Sequence, residues 1–461
     1  MRALTALLLA VGGVVGIFDP RSADAYKRLP HNRFIESASL PWPPGTERLR
    51  FENLEGIILI HGTLRGVIQP DTSGPLALDT GAGYLALDIG LARVLGLADS
   101  ADGAEAVDLA ARPLPRLTLG GLTIDQIEPV LTVDGEIVRR VSDRPVLGLL
   151  GQKPLAERVV WIDYREEMLA LMPAAAHAEV VDLAIGESVP GATVHGAAGD
   201  SALVRSRALL GALLTPRAVA VRFLLVGDGK ILVHGAVSDP HPPAYSKRLN
   251  LLVDTGATKC VLFEETLEAG VRHAEAWPAL NGLSAPTLLG TANARIARIP
   301  SIEIEAAGGP LRAPDVDVGV LRSELSEVLA RVTHETIHGL IGYSFLKRYR
   351  VAVDYPNRVL WLDPIPGYRD DRPLEYCHVG LQLERHGGSV VVTGVVEGSP
   401  AARARITRGD EVLALDGTSP REVDLITLTR RMEGQPGRPL TLVIRRNAVD
   451  RTVRLVRRRL L

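Results

Sequence analysis

Apolar and polar positions alternate along most of this chain over short stretches that Gly and Pro interrupt. That period-two pattern, rich in β-branched residues, predicts short antiparallel strands. "V-G-D-G-K" at 226–230 predicts a hairpin turn with Gly free to take positive φ, and "L-G-G-L-T" at 119–123 predicts a second. Helical spacing is confined to a few segments. The best are 88–97 and 323–332, each opening on a residue type that caps helix N-termini, with a third near 421–433. An apolar run at 3–18 follows Arg2, and "S-A-D-A-Y" after it offers an A-x-A site. This predicts an export signal over 1–25, cleaved after Ala25, and a periplasmic or secreted mature chain. The run is short for a membrane span, and an uncleaved anchor stays as the alternative. No later segment is long and apolar enough to cross a bilayer.

The strand pattern repeats itself. "I-L-I-H-G-T-L" at 58–64 returns as "I-L-V-H-G-A-V" at 231–237, and "L-A-L-D-T-G-A" at 76–82 returns as "L-L-V-D-T-G-A" at 251–257. "G-L-L-G-Q-K-P-L-A-E-R-V-V-W-I-D-Y" at 148–164 then aligns without a gap on "G-L-I-G-Y-S-F-L-K-R-Y-R-V-A-V-D-Y" at 339–355. Three blocks in one order make a duplicated domain. The copies span 26–175 and 217–366, and the Ala/Gly/Ser/Pro-rich stretch 176–216 reads as a connection, partly ordered at best. After the linker "P-G-Y-R-D-D-R-P" at 366–373 the composition changes, and a unit over 376–457 has its own signature.

Composition narrows the partners. Lys plus Arg is 52 and Asp plus Glu is 54, so nothing electrostatic calls for nucleic acid or an acidic membrane. The basic tail at 454–459 reads as the end of a solvated strand. The two cysteines, Cys260 and Cys377, form no framework, and a single bridge between them is left open.

Asp-Thr-Gly alone is weak, expected by chance roughly 0.1 times in a chain of this length. Two copies at equivalent places in a duplicated domain, each ending an apolar run, are strong. A carboxylate at the end of a buried strand is costly unless paired or hydrogen-bonded. Here the chain resembles bilobal bacterial relatives of the retropepsin-like and pepsin-like aspartic proteases. The resemblance covers roughly 45–365 and rests on "D-T-G-A-G", "D-T-G-A-T", Leu149-Leu150-Gly151 and Leu340-Ile341-Gly342. It implies a mainly β fold of two duplicated lobes forming a cleft, with Asp79 and Asp254 as the catalytic dyad. Thr80 and Thr255 would hydrogen-bond across a pseudo-two-fold axis, and Gly81 and Gly256 would approach the carboxylates. No cofactor, metal or dimerisation is needed. Two carboxylates so close share one proton, and which of them holds it is not readable from sequence. Ala82 and Ala257 stand where pepsin-like enzymes carry a hydroxyl, which should raise the lower pKa of the pair. The flap regions, about 98–118 and 281–298, contain no Tyr, so a pepsin-style flap tyrosine is absent.

"T-H-E-T-I-H-G-L-I-G" at 333–342 competes with this reading, because His334, Glu335 and His338 spell the H-E-x-x-H of zinc metallopeptidases. Gly339 and Gly342 would end a helix at once, no third ligand follows, and the first copy has neither His nor Glu there. A zinc site is kept as a third alternative. The repeated His61 and His234 read as strand-end residues.

The last unit resembles a PDZ domain, a β-sandwich or barrel with two helices, on Gly380-Leu381-Gln382-Leu383, G-S-P-A at 398–401 and "G-D-E-V-L-A-L-D-G". The resemblance implies that a peptide adds as a strand and that the loop 380–383 holds its terminal carboxylate. The expected function is an exported aspartic endopeptidase acting on peptide or protein substrates, its PDZ domain recruiting C-terminal tails. The alternative is a catalytically weak or inactive peptide-binding scaffold of the same fold.

Overall fold

The computed structural model describes residues 40–68, 70–98, 112–135, 143–174, 197–240, 244–267, 271–287, 290–370 and 372–461. The expected export signal, the stretch up to 39 and part of the first flap region lie outside them. The apolar runs before each D-T-G form strands Thr72–Leu78 and Leu249–Val253. Each pairs in parallel with the apolar-apolar-Gly strand of its own copy, Leu76 on Gly148 and Leu251 on Gly339. A third strand, Leu85–Asp88 or Cys260–Phe263, pairs antiparallel on the other side. The Gly strand is therefore wedged between two neighbours, and this explains its composition. A Cβ on Gly148 would lie 2.1 Å from Ala86 O, and one on Gly339 would lie 2.1 Å from Val261 O. No side chain fits there.

The ungapped repeat also builds the joint between the lobes. Strands Arg158–Asp163 and Tyr349–Asp354 pair antiparallel with Trp161 opposite Ala352, and these two residues are equivalent in the repeat. The pseudo-two-fold axis thus passes through one continuous sheet. Val359–Pro364 and Val219–Arg222 extend it on one side, and Met168–Pro173 and Glu47–Leu54 on the other. The lobes are not identical. The second carries a long hairpin, Ala279–Thr287 with Gly290–Ile304, which pairs onward with Leu311–Arg322.

Local expectations and structure differ in places. The segment 176–216, expected to be a connection partly ordered at best, contains the helix Ala197–Leu210. Its Leu210 and the following Leu213 and Leu214 are buried with Trp161 and Trp361, and Trp361 Nε1 donates to Ser206 Oγ at 2.8 Å. Tertiary packing against two tryptophans overrides the Gly- and Ser-rich surroundings. The helix expected over 88–97 spans Ile89–Val94, because Asp88 caps it from Leu91 N at 3.0 Å and Gly96 turns left-handed at φ +73°. The helix expected over 323–332 spans Leu325–Thr333. Both cysteines are buried free thiols.

After the linker, strands Leu381–His386, Ser389–Val395, Glu411–Leu415, Pro439–Arg446 and Val449–Val456 form a separate five-stranded sheet with its own apolar core. The helix Leu425–Met432 packs on it, capped by Asp424. Leu210→Ala should cost about 2–5 kcal/mol by opening a cavity beside the two tryptophans. A denaturant midpoint equal to that of the unaltered chain would show that the helix is no part of the folded lobe pair.

Candidate active site

Each D-T-G loop begins where its strand runs out of partners, and the loop's polar groups are answered by the other lobe. Thr80 N donates to Thr255 Oγ1 and Thr255 N donates to Thr80 Oγ1, both at 3.0 Å. Thr80 Oγ1 then donates to Val253 O and Thr255 Oγ1 to Leu78 O, both at 2.9 Å. These four bonds are reciprocal about the axis. Within each lobe, Asp79 N donates to Leu150 O and Asp254 N to Ile341 O, at 3.0 Å. The apolar-apolar-Gly strand thus sets the height of each aspartate.

The structure brings Asp79 and Asp254 together. Both are buried, at 0% and 1% exposure. A Cβ on Gly81 would lie 2.7 Å from Asp254 Cγ, and one on Gly256 would lie 2.8 Å from Asp79 Cγ. Each carboxyl therefore rests against the other loop's glycine, and only glycine permits it. Asp79 Oδ1 accepts from Gly81 N at 2.7 Å and Ala82 N at 3.1 Å, whereas Asp254 Oδ1 accepts from Gly256 N alone, at 2.8 Å. Burial pushes Asp79 up to about 6, against its hydrogen bonds and the charge of Lys230. Burial raises Asp254 well above the usual carboxylate range, and the charge of Asp79 adds to the effect. The extra amide on Asp79 favours its ionised form over that of Asp254.

Several residues of the site carry no motif. Gln152 Nε2 donates to Thr80 O at 2.7 Å and steadies the first loop. Its repeat equivalent, Tyr343, packs its ring edge on Tyr164, centroids 5.1 Å apart. Tyr164 and Tyr355 are themselves equivalent, ending the ungapped block, and burial raises both hydroxyls far above the usual range. The charge of Asp254 adds to the effect on Tyr164, and that of Asp79 to the effect on Tyr355. Their recurrence as "D-Y" in both copies was the available signal.

H-E-x-x-H takes no helical form. Its helix ends at Thr333, His334 is left-handed at φ +58°, and His338 Nδ1 accepts from Asn250 N at 3.0 Å. The two imidazoles therefore do not share a helix face, the arrangement the zinc motif depends on. His234 Nδ1 is bonded to Asn250 Oδ1 at 3.0 Å.

In the last unit, strand Leu381–His386 is an edge strand facing the helix Leu425–Met432. The Gly380 amide donates to His378 Nδ1 at 3.0 Å, so it is committed within the chain. Gln382 is committed as well: its Oε1 accepts from Ser284 N at 3.0 Å and its Nε2 donates to Ser284 O at 2.8 Å, on the second lobe's long hairpin. A cavity of about 360 Å³ lies between the unit and both lobes, lined by Leu381, Leu383 and Thr429 of the unit, Lys259 and Leu280 of the second lobe and Leu54 of the first. Neither aspartate lines it.

Two β lobes meeting at reciprocal Asp-Thr-Gly loops define the aspartic-protease class of site. Residues 243–345 match the family model described as aspartyl protease, and residues 378–456 match that of the PDZ domain. The chain carries an aspartyl protease domain followed by a C-terminal PDZ domain. A carboxy-terminal-processing protease of Bartonella bacilliformis is 28% identical over 102 residues, 20% of this chain and 24% of that protein. The chain thus spans about a quarter of the length of this curated relative. The aspartic proteinase of Irpex lacteus is 11% identical, covering 70% of this chain and 98% of its own, with TM-score 0.38. The PDZ domain of the carboxy-terminal protease of Vibrio cholerae, solved with a peptide, is 18% identical. It covers 18% of this chain and 93% of its own, with TM-score 0.16.

Thr255→Ala strands two buried partners across the axis and should cost about 1–3 kcal/mol. Thermal unfolding should show the loss, and Thr80→Ala should match it because the bonds are reciprocal. A neutral result for either variant would contradict the cross-axis lock.

Proposed function

We propose that the chain is an exported aspartic endopeptidase, its Asp79–Asp254 pair activating water against a peptide bond and its PDZ domain recruiting peptide tails. The observation that carries the reading is the buried pair of reciprocal carboxyls with unequal amide support. Ionised Asp79 takes a proton from a water molecule as the water oxygen attacks the scissile carbonyl carbon. Asp254 gives its proton to the carbonyl oxygen, forming a tetrahedral diol. As the diol collapses, the departing nitrogen takes the proton from Asp79, and a diol hydroxyl returns one to Asp254. No covalent intermediate forms.

Export rests on the run at 3–18 and the A-x-A site, and the peptide tail on the open edge of Leu381–His386. The carboxylate would be taken by the loop at Leu381, Gln382 and Leu383. Cleavage of a denatured protein, blocked by a statine-type inhibitor and indifferent to a chelator, separates this reading from both the inactive scaffold and the zinc peptidase.

The pH dependence follows from burial. Asp79 must be ionised to act as the base, so with its carboxyl pushed up to about 6 the acid limb of cleavage should fall near that pH, while Asp254, held higher still, keeps its proton and carries activity into near-neutral solution. An optimum confined below about pH 3 would contradict the assignment. Stability carries the same sign: the native pair holds a proton that the unfolded chain releases above its ordinary value near 3.8. That contribution is present at low pH and fades as pH rises through 6 and beyond. Asp254→Asn should therefore abolish cleavage yet melt higher than the unaltered chain at pH 8, the gap closing toward pH 4. Thr429→Arg should raise KM for substrates with a free apolar C-terminus and leave a short amidated peptide unaffected. Equal loss on both would assign the PDZ domain a purely structural part.

A further inference from the structure

The duplication supplies its own comparison at one position beside the dyad. "I-I-L-I-H-G" from 57 and "K-I-L-V-H-G" from 230 are equivalent, so Lys230 stands in the second copy where the first has Ile57. Both are buried, at 1% and 2% exposure. A buried ammonium is costly unless paired. Lys230 Nζ donates to Asp228 Oδ1 at 2.8 Å and to Oδ2 at 3.1 Å. Asp228, in the turn of the same hairpin, is seated on the first lobe's catalytic loop: a Cβ on Gly83 would lie 2.5 Å from its Oδ2. Gly83 follows D-T-G-A in the first copy, and the second copy has Thr258 in the corresponding place.

The matching turn of the first lobe differs in kind. A Cβ on Gly56 would lie 2.6 Å from the Tyr343 ring, and Glu55 pairs with Arg372 and Arg430 of the linker and PDZ domain. At this position, therefore, a charge stands in the second lobe where the first has an apolar side chain. Among the described residues, the titratable groups around the dyad include Asp79, Asp254, Lys230 with its partner Asp228, the hydroxyls of Tyr164, Tyr343 and Tyr355, and, at the first catalytic loop, Lys153 over the ring of Tyr84. Burial keeps Tyr164 and Tyr355 neutral across the working range. Lys230 acts on both aspartates, favouring the charged form that burial opposes.

We propose that Lys230 is a positioning residue of the dyad: its buried ammonium, held by Asp228 against the first lobe's catalytic loop, lowers the pH down to which one aspartate stays ionised. The proposal rests on the aspartic-peptidase reading and adds the group that sets its acid limit. An ion pair that merely joined the lobes would affect stability and leave the pH profile where it is.

Opposite substitutions separate the two roles. Lys230→Met removes the charge and leaves Asp228 facing the loop, so the acid limb of kcat/KM should move up by about one pH unit, a tenfold change in proton affinity. Asp228→Asn leaves the ammonium uncompensated, and the limb should move down. Lys230→Arg should hold it near its original position. Damage to folding would lower the height of each profile without displacing the limb. Acid limbs of Lys230→Met and Asp228→Asn that coincide with the unaltered chain's would overturn the proposal. An unaltered chain that cleaves nothing at any pH would overturn the peptidase reading itself.

Discussion

The exchange of hydrogen bonds between Thr80 and Thr255 is the constraint on which the molecule is built. Neither D-T-G loop can satisfy its own polar groups once its strand ends, and each finds an acceptor and a donor on the other lobe. The bonds are reciprocal, so they fix both the separation of the loops and the axis between them. Two carboxyls are thereby held together out of water, which neither lobe could do alone. Such a pair cannot be doubly charged, and its one proton follows from placement. A small difference between the copies, one more amide on Asp79, then favours that member as the ionised one.

The PDZ domain is bound to both lobes rather than hung on a tether. Arg372 of the linker joins Glu55 of the first lobe to Glu433 of the PDZ domain, and Lys259 of the second lobe pairs with Glu375 at 2.7 Å. Asp143 of the first lobe accepts from Arg385 and from Leu425 N, at the start of the PDZ helix. Ile426 packs against apolar residues of the first lobe that include Leu54 and Ile57. Gln382 reaches across to Ser284. The space beside Leu381–His386 is therefore walled by the second lobe as well as by the PDZ helix, and contacts to both lobes lie within a few residues of it.

Legibility followed the physics of each feature. D-T-G and apolar-apolar-Gly were readable because they are backbone requirements: the glycines sit where any Cβ would collide, and the aspartates where a buried strand ends. H-E-x-x-H was a coincidence of spelling, since its meaning depends on a helix that stops at Thr333. The helix Ala197–Leu210 was missed because its surroundings are rich in residues that break helices. It is held by two tryptophans distant in sequence. Gln152, Tyr164 and Tyr355 carry no motif, and only their place in an ungapped repeat marked them.

By itself, the sequence determined the duplication, the strand that leads to each aspartate, the turns and the change of domain after residue 366. These depend on periodicity and on positions where only one residue type fits, both of which are local. The tertiary structure alone decided that the two loops answer one another, that Asp79 has the better claim to the charge, and that an ammonium paired with Asp228 is buried against the first lobe's loop. Those are matters of distance between segments far apart in the chain, and the strength of a charge in a buried site depends on distance and on what surrounds it.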